Sequence, residues 1–322
     1  MTHLLDRRRL IAGGIALAFG TAAAQPASAP ARVKGPLVWL DLDQADLDEA
    51  FDVVKASPNL PQVTRRWGTN SDAARAHVGE PKRFAYGPAG VEALDVYTTQ
   101  RANAPINVFI HGGAFNMGTA RVYAFAAEMF VRAGSHLVVP DFGRAQDFDG
   151  SPLPLLDQVQ RAVAWVHRNA SSFGGNPDQI HVSGHSSGGE LAALLSMTDW
   201  QGRFGLPAQT LKGGACCSAT YDFKALRLSA GGARLKISDE VEQAMSAERQ
   251  LDRLAVPLIV AVGSAETAWF QRRAREFASI VRSAGKPVQL VVAEGYNHFE
   301  VIETLSNPYG ALGRAVLQQM GL

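Results

Sequence analysis

Residues 180–191 read Ile-His-Val-Ser-Gly-His-Ser-Ser-Gly-Gly-Glu-Leu. An apolar β-type run through Ile180 and Val182 enters Gly184-His185-Ser186-Ser187-Gly188, and an Ala/Leu-rich helical run follows from Leu191 to Leu195. Strand, sharp turn and helix are the context a G-x-S-x-G nucleophile elbow requires. Such a turn forces its serine into a strained backbone conformation. Bulky side chains two residues either side would clash, so glycine stands at Gly184 and Gly188. The strain lifts the Ser186 hydroxyl above the sheet edge, within reach of a base and a substrate carbonyl. A serine hydroxyl is a weak nucleophile at neutral pH. It needs a base in contact and a third group that orients the base.

His298 is the only histidine after the elbow. It lies in Glu294-Gly295-Tyr296-Asn297-His298-Phe299, just past the last β-type run, where a turn suits a base that reaches back over a sheet. Two carboxylates compete for the orienting role. Glu266, after the run 258–263, is preferred; Asp222, after the earlier run 213–218, is the alternative. Upstream, His111-Gly112-Gly113-Ala114 follows the apolar run 106–110. The N–H groups of Gly112, Gly113 and Ala114, with that of Ser187 at a helix start, can hold a developing oxyanion. Each such donor is worth about 3 kcal/mol in the barrier. His111 is expected to buttress this loop. Phe115, Asn116, Tyr221 and Trp269 flank these motifs and are candidate pocket walls, though each could equally be core.

The elements that must position these groups alternate. Strands are expected at 93–97, 106–110, 136–140, 180–183, 213–218, 258–263 and 288–293, and helices at about 120–133, 154–172, 268–284 and 299–320. Alternation of this kind argues for an α/β fold with a mostly parallel sheet and helices on both faces. Ligands bind such sheets outside the carboxyl ends of the strands, where Ser186, the His-Gly-Gly loop, Glu266 and His298 all fall. Residues 37–80 read as a helical, cap-like segment: an acidic helix start over 41–51, a break at Ser57-Pro58-Asn59-Leu60-Pro61, then a second helix over 62–77. Arg65, Arg66 and Arg75 on it are expected to form a solvated face.

The 322 residues are 47% hydrophobic and carry a net charge of +1, enough for one large domain over 37–322 and without a nucleic-acid footprint. Asp6-Arg7-Arg8-Arg9-Leu10-Ile11 ahead of an apolar stretch resembles a twin-arginine export signal, with Ala22-Ala23-Ala24 as cleavage site. Residues 1–24 are therefore read as a signal peptide and 25–36 as a flexible leader, which places the mature protein in the periplasm. The apolar stretch is short for a membrane span, which needs about 20 residues. An uncleaved anchor is the alternative. Cys216 and Cys217 are adjacent and are expected as two buried thiols on a strand.

Taken together, these stretches resemble the α/β-hydrolase superfamily, in particular its kynurenine formamidase (arylformamidase)-like and hormone-sensitive-lipase-like esterases. The resemblance rests on Phe109-Ile110-His111-Gly112-Gly113 and on Arg161-Ala162-Val163-Ala164-Trp165-Val166 with Phe173-Gly174-Gly175-Asn176-Pro177. It continues through Ser186–Gly189 to Met197-Thr198-Asp199-Trp200, then Glu266–Arg273 and Asn297-His298-Phe299, and spans roughly residues 40–310. It implies Ser186 as nucleophile, His298 as base and Glu266 as acid. The chain departs from that branch in Ala114-Phe115-Asn116, where an aromatic pair is common, and in a Glu where Asp is frequent.

The expected activity is hydrolysis of small or aryl carboxylic esters through an acyl-enzyme, with an arylformamidase-type amide hydrolase as the alternative. A non-catalytic binding protein on the same fold is a remote third reading. The implied partner is a small-molecule ester or amide, and no metal or organic cofactor is implied.

Overall fold

Strand β5 (Ala104–Ile110) is buried at every position, as a strand covered on both faces must be. It lies mid-sheet in the computed structural model, which describes residues 32–322. The expected export signal and residues 25–31 of the leader lie outside the described residues. Gly35–Leu322 form one compact unit.

The strands before β5 are β1 (Leu37–Trp39), β2 (Leu42–Asp43), β3 (Lys82–Ala85) and β4 (Ala93–Tyr97); those after it are β6 (His136–Pro140), β7 (Gly175–His185), β8 (Leu211–Cys217), β9 (Leu258–Gly263) and β10 (Val288–Ala293). β1 and β2 pair as a small antiparallel ribbon. The others form one sheet in the order β10-β9-β8-β7-β5-β6-β4-β3. From β10 to β6 every pairing is parallel. β4 runs antiparallel to both its neighbours.

Two apolar clusters cover the two faces. One joins the sheet to helices α1 (Gln44–Ala50), α4 (Leu153–Asn169), α5 (Ser187–Leu195) and α9 (Ala268–Ser283). The other joins it to α2 (Leu60–Val78), α3 (Ala127–Arg132) and α10 (Ala311–Met320). Short helices α6 (Trp200–Phe204), α7 (Phe223–Leu228) and α8 (Asp239–Met245) fill the excursions on either side of β8. Cys216 and Cys217 are free, buried and in opposite clusters, as neighbours on a strand should be.

The mostly parallel sheet with helices on both faces is the expected architecture, and β4, β6, β9 and β10 have their expected bounds. Three local expectations are corrected. The helix expected over 299–320 is two pieces, a 3₁₀ segment Val301–Ser306 and α10. Pro308 follows Asn307 and holds it extended at φ −128°, ψ 124°, which a helix cannot continue through. The helix expected over 120–133 is a single 3₁₀ turn followed by the short α3. Arg75 is not part of a solvated face: it is buried and donates to the Arg121 carbonyl at 2.9 Å. β3 escaped sequence reading because its Lys82 and Arg83 face solvent at the sheet edge, where charge guards against further pairing.

Candidate active site

Between β7 and α5 the chain reverses within one residue. Ser186 sits at φ 56°, ψ −125°, a conformation that is costly for a residue with a side chain. The glycines around it are required by contact. A Cβ on Gly184 would lie 2.1 Å from the Gly188 carbonyl oxygen, and one on Gly188 would lie 2.1 Å from that of Ile110. Ser186 N–H donates to the Cys217 carbonyl at 2.8 Å, tying the turn to β8.

The Ser186 hydroxyl lies 3.0 Å from His298 Nε2, and His298 Nδ1 lies 2.7 Å from Glu266 Oε2. A carboxylate only accepts, so Nδ1 carries the proton and Nε2 presents its lone pair to the Ser186 hydroxyl. The histidine and glutamate side chains are 3% and 0% exposed, so the pair is shielded from competing water. Glu266 is held by its other oxygen, which accepts from Ser218 Oγ at 2.6 Å and from the Gly263 N–H at 2.8 Å. The His298 backbone is fixed in turn. Its carbonyl accepts from His185 Nε2 at 2.7 Å, and burial holds the His185 pKa down at about 3, so His185 stays neutral and keeps that donor. Asn297 accepts from the N–H groups of Phe299 and Glu300 and donates to Asn59, just before α2. Asp222 is elsewhere: it caps α7 through the Lys224 N–H and faces Arg249.

The loop after β5 is strained over three residues in succession, with φ at 125° for Gly113, 50° for Ala114 and 61° for Phe115. Ser187 Oγ accepts from the Phe115 N–H at 3.3 Å and so joins this loop to the elbow. His111 is buried, stacks on Phe142 at 4.3 Å between ring centres, and contacts the Gly112 carbonyl at 2.9 Å. It buttresses the loop, as expected. The N–H groups of Gly113, Ala114 and Ser187 have no acceptor among the described residues. Ala114 and Ser187 line a cavity together with Ser186 and His298. Gly112 and Gly113 do not line it: a Cβ on Gly112 would lie 2.8 Å from the His185 carbonyl oxygen, so that glycine serves the close approach of loop and elbow.

Residues 94–220 match the BD-FAE family model. Kynurenine formamidase from Danio rerio is 26% identical over 88% of this chain and 98% of its own length. Para-nitrobenzyl esterase from Bacillus subtilis is 36% identical over 33% of this chain and 24% of its own length. Among solved structures, an esterase from Pyrobaculum calidifontis superimposes with TM-score 0.62 at 18% identity, over 81% of this chain and 91% of that one. The chain is a hydrolase on the α/β-hydrolase fold, similar to esterases and to kynurenine formamidase.

The cavity of this hydrolase measures about 120 Å³. Of the four expected pocket residues, Phe115 lines it. The other three do not. Tyr221 is fully buried, stacked on Phe277 at 4.0 Å, and donates to the Cys216 carbonyl. Trp269 is buried against Phe51 and Arg273. Asn116 is half-buried and braces the loop, donating to the Ala114 carbonyl and accepting from the Gln146 N–H. The walls that sequence reading missed are chiefly Phe51 and Val53 beyond α1, Phe223 and Leu226 on α7, and Phe270 beside Glu266. Only Phe270 carried a signal, its place four residues after Glu266. Ser218 and Glu190 were also missed. Glu190 was findable, since it stands four residues after Ser186 and so one helical turn along the same face.

No helix among the described residues is long and apolar enough to cross a membrane.

Proposed function

We propose that this hydrolase cleaves small or aryl carboxylic esters through an acyl-enzyme on Ser186, with His298 as general base and acid and Glu266 as its orienting carboxylate. The observation that carries this reading is the unbroken hydrogen-bonded chain Ser186–His298–Glu266 at the wall of the cavity. His298 Nε2 takes the Ser186 proton as the oxygen attacks the carbonyl carbon. The free amides of Ala114 and Ser187, with Gly113 beside them, supply donors for the oxyanion. His298 then protonates the departing alcohol, and a water activated by the same nitrogen releases the acid.

A formamide is the second reading. It is supported by the similarity to kynurenine formamidase over nearly the whole chain and by the small cavity, since a formyl group needs almost no room. Turnover of p-nitrophenyl acetate, p-nitrophenyl butyrate and N-formylkynurenine separates the two. Ester turnover that disappears in Ser186→Ala, with little deformylation, supports the esterase. Fast deformylation with poor butyrate turnover supports the formamidase. Activity that survives in Ser186→Ala removes the reading altogether. We also propose export to the periplasm, on the Arg7-Arg8-Arg9 signal. A mature N-terminus at Gln25 in a periplasmic fraction is the expected result, and retention of residues 1–24 in the membrane fraction is the contrary one.

A further inference from the structure

Ser218 follows the last residue of β8 at φ 56°, a left-handed conformation that favours glycine. A side chain kept there is a cost to the fold, and such costs persist where the chain must hold a group in one place. Ser218 is buried, and its hydroxyl donates to Glu266 Oε1 at 2.6 Å, the length of a charge-assisted bond. Its other polar side-chain neighbour among the described residues, Cys217 Sγ at 3.5 Å, is a weak one. The backbone fixes where the hydroxyl stands. Ser218 N–H donates to the Ala261 carbonyl of β9 at 2.8 Å, and the Cys217 carbonyl just before it accepts from Ser186 N–H at 2.8 Å. The end of β8 thus holds the nucleophile's turn through a carbonyl and the acid through a hydroxyl. A glutamate needs such a hold more than an aspartate does. It has one more rotatable bond, and rotation about its last one, Cγ–Cδ, has no sharp minima. The Gly263 N–H reaches the same Oε1 at 2.8 Å, but from the chain three residues before Glu266. With Ser218 coming from a second strand, two donors fix the carboxyl plane and leave Oε2 to His298 Nδ1 at 2.7 Å.

We propose that Ser218 is a positioning residue of the reaction: its hydroxyl sets the plane of the Glu266 carboxyl and, through it, the orientation of the His298 ring toward Ser186. This rests on Glu266 being the carboxylate that orients His298. Without the hydroxyl the carboxyl turns about Cγ–Cδ, and His298 Nε2 faces the Ser186 hydroxyl in a smaller share of molecules. Ser218 also lines the cavity, so a contact with the substrate is the competing role that the test must separate.

The test uses two variants that lose the hydroxyl and differ in the backbone. Ser218→Ala keeps the costly conformation, whereas Ser218→Gly relieves it and is expected to melt higher than Ser218→Ala. Both are expected to lower kcat on p-nitrophenyl acetate by about thirtyfold, with KM within about twofold of wild type. Rate then follows the hydroxyl while melting temperature follows the backbone, a separation that a merely structural serine does not produce. Ser218→Gly with wild-type kcat overturns the proposal. So does a rise in KM at unchanged kcat, which would put the hydroxyl against the substrate. The second measurement is the same substitution in Glu266→Ala. A hydroxyl that acts only through Glu266 has nothing left to position there, so Ser218→Gly is expected to lower kcat no further. A loss of the same factor with and without Glu266 overturns the proposal and leaves the triad assignment standing. Wild-type kcat in Glu266→Ala alone would instead overturn the assignment of the acid.

Discussion

Glu266 carries three hydrogen bonds and reaches His298 with one methylene more than an aspartate would. That reach is why a glutamate at this place leaves the His298 ring correctly oriented. Replacing Glu266 with alanine frees the imidazole to take either tautomer and is expected to lower kcat on p-nitrophenyl acetate by about 10³-fold or more. Asp222→Ala is the contrast. It removes a helix cap and is expected to cost about 1 kcal/mol in urea unfolding while leaving kcat close to wild type. Larger damage from Asp222→Ala than from Glu266→Ala would reverse the assignment of the acid. The approach of Ser186 and His298 was legible because chemistry restricts such pairs: one G-x-S-x-G turn, one histidine after it. Three of the four expected pocket walls were not. Tyr221 and Trp269 have the size of a pocket residue, and nothing in a sequence says which face of a core an aromatic ring will join.

At the scale of elements, the elbow and the loop after β5 are two strained turns pressed together. Gly188 stands at their contact, so Gly188→Ala must push the elbow off the Ile110 carbonyl. The expected cost is about 3 kcal/mol of stability, with activity lost even in protein that still folds, as judged by circular dichroism and turnover together. The alternating strands were legible from apolar runs because buried parallel strands have few other compositions available. The excursion of α7 and α8 was not, since short helices held by caps and tertiary contact leave little periodicity to read. This excursion supplies Phe223, Leu226 and Leu235 to the cavity, so much of the cavity wall lay in the part of the chain with the weakest pattern. Across from it stands Phe51, in ring contact with Trp269 and Phe270 at 6.0 and 6.1 Å. Phe51→Ala is expected to enlarge the cavity and raise kcat/KM for p-nitrophenyl octanoate relative to acetate by about tenfold. An unchanged ratio would show that Phe51 does not limit acyl length.

For the whole molecule, buried titratable groups set the response to pH. Burial lowers the pKa of His185 to about 3 and of His181 to about 4, and lowers that of His111 as well. Each binds its proton more readily once unfolded, so stability falls as pH drops below 6.5 and the loss deepens toward pH 4. Glu190 acts in the opposite sense. Burial raises its pKa from 4.5 to about 7, so its contribution is present below 4.5 and is lost as pH rises to about 7. Three histidines outweigh one glutamate, and the melting temperature is expected to fall between pH 6.5 and pH 4. Glu190→Gln, which cannot ionise, is expected to gain in melting temperature relative to wild type at pH 8 compared with pH 5. Equal differences at the two pH values would show that Glu190 is not strained by its charge. The cavity walls have a consequence of another kind. Ser186 and the loop after β5 lie in turns that tolerate almost no change, whereas Phe51 and Val53 follow α1 and Phe223 to Leu235 belong to the excursion after β8. Heritable variation can therefore accumulate in what the protein accepts without touching how it reacts. A lineage built on this plan is expected to diversify in diet while keeping its chemistry.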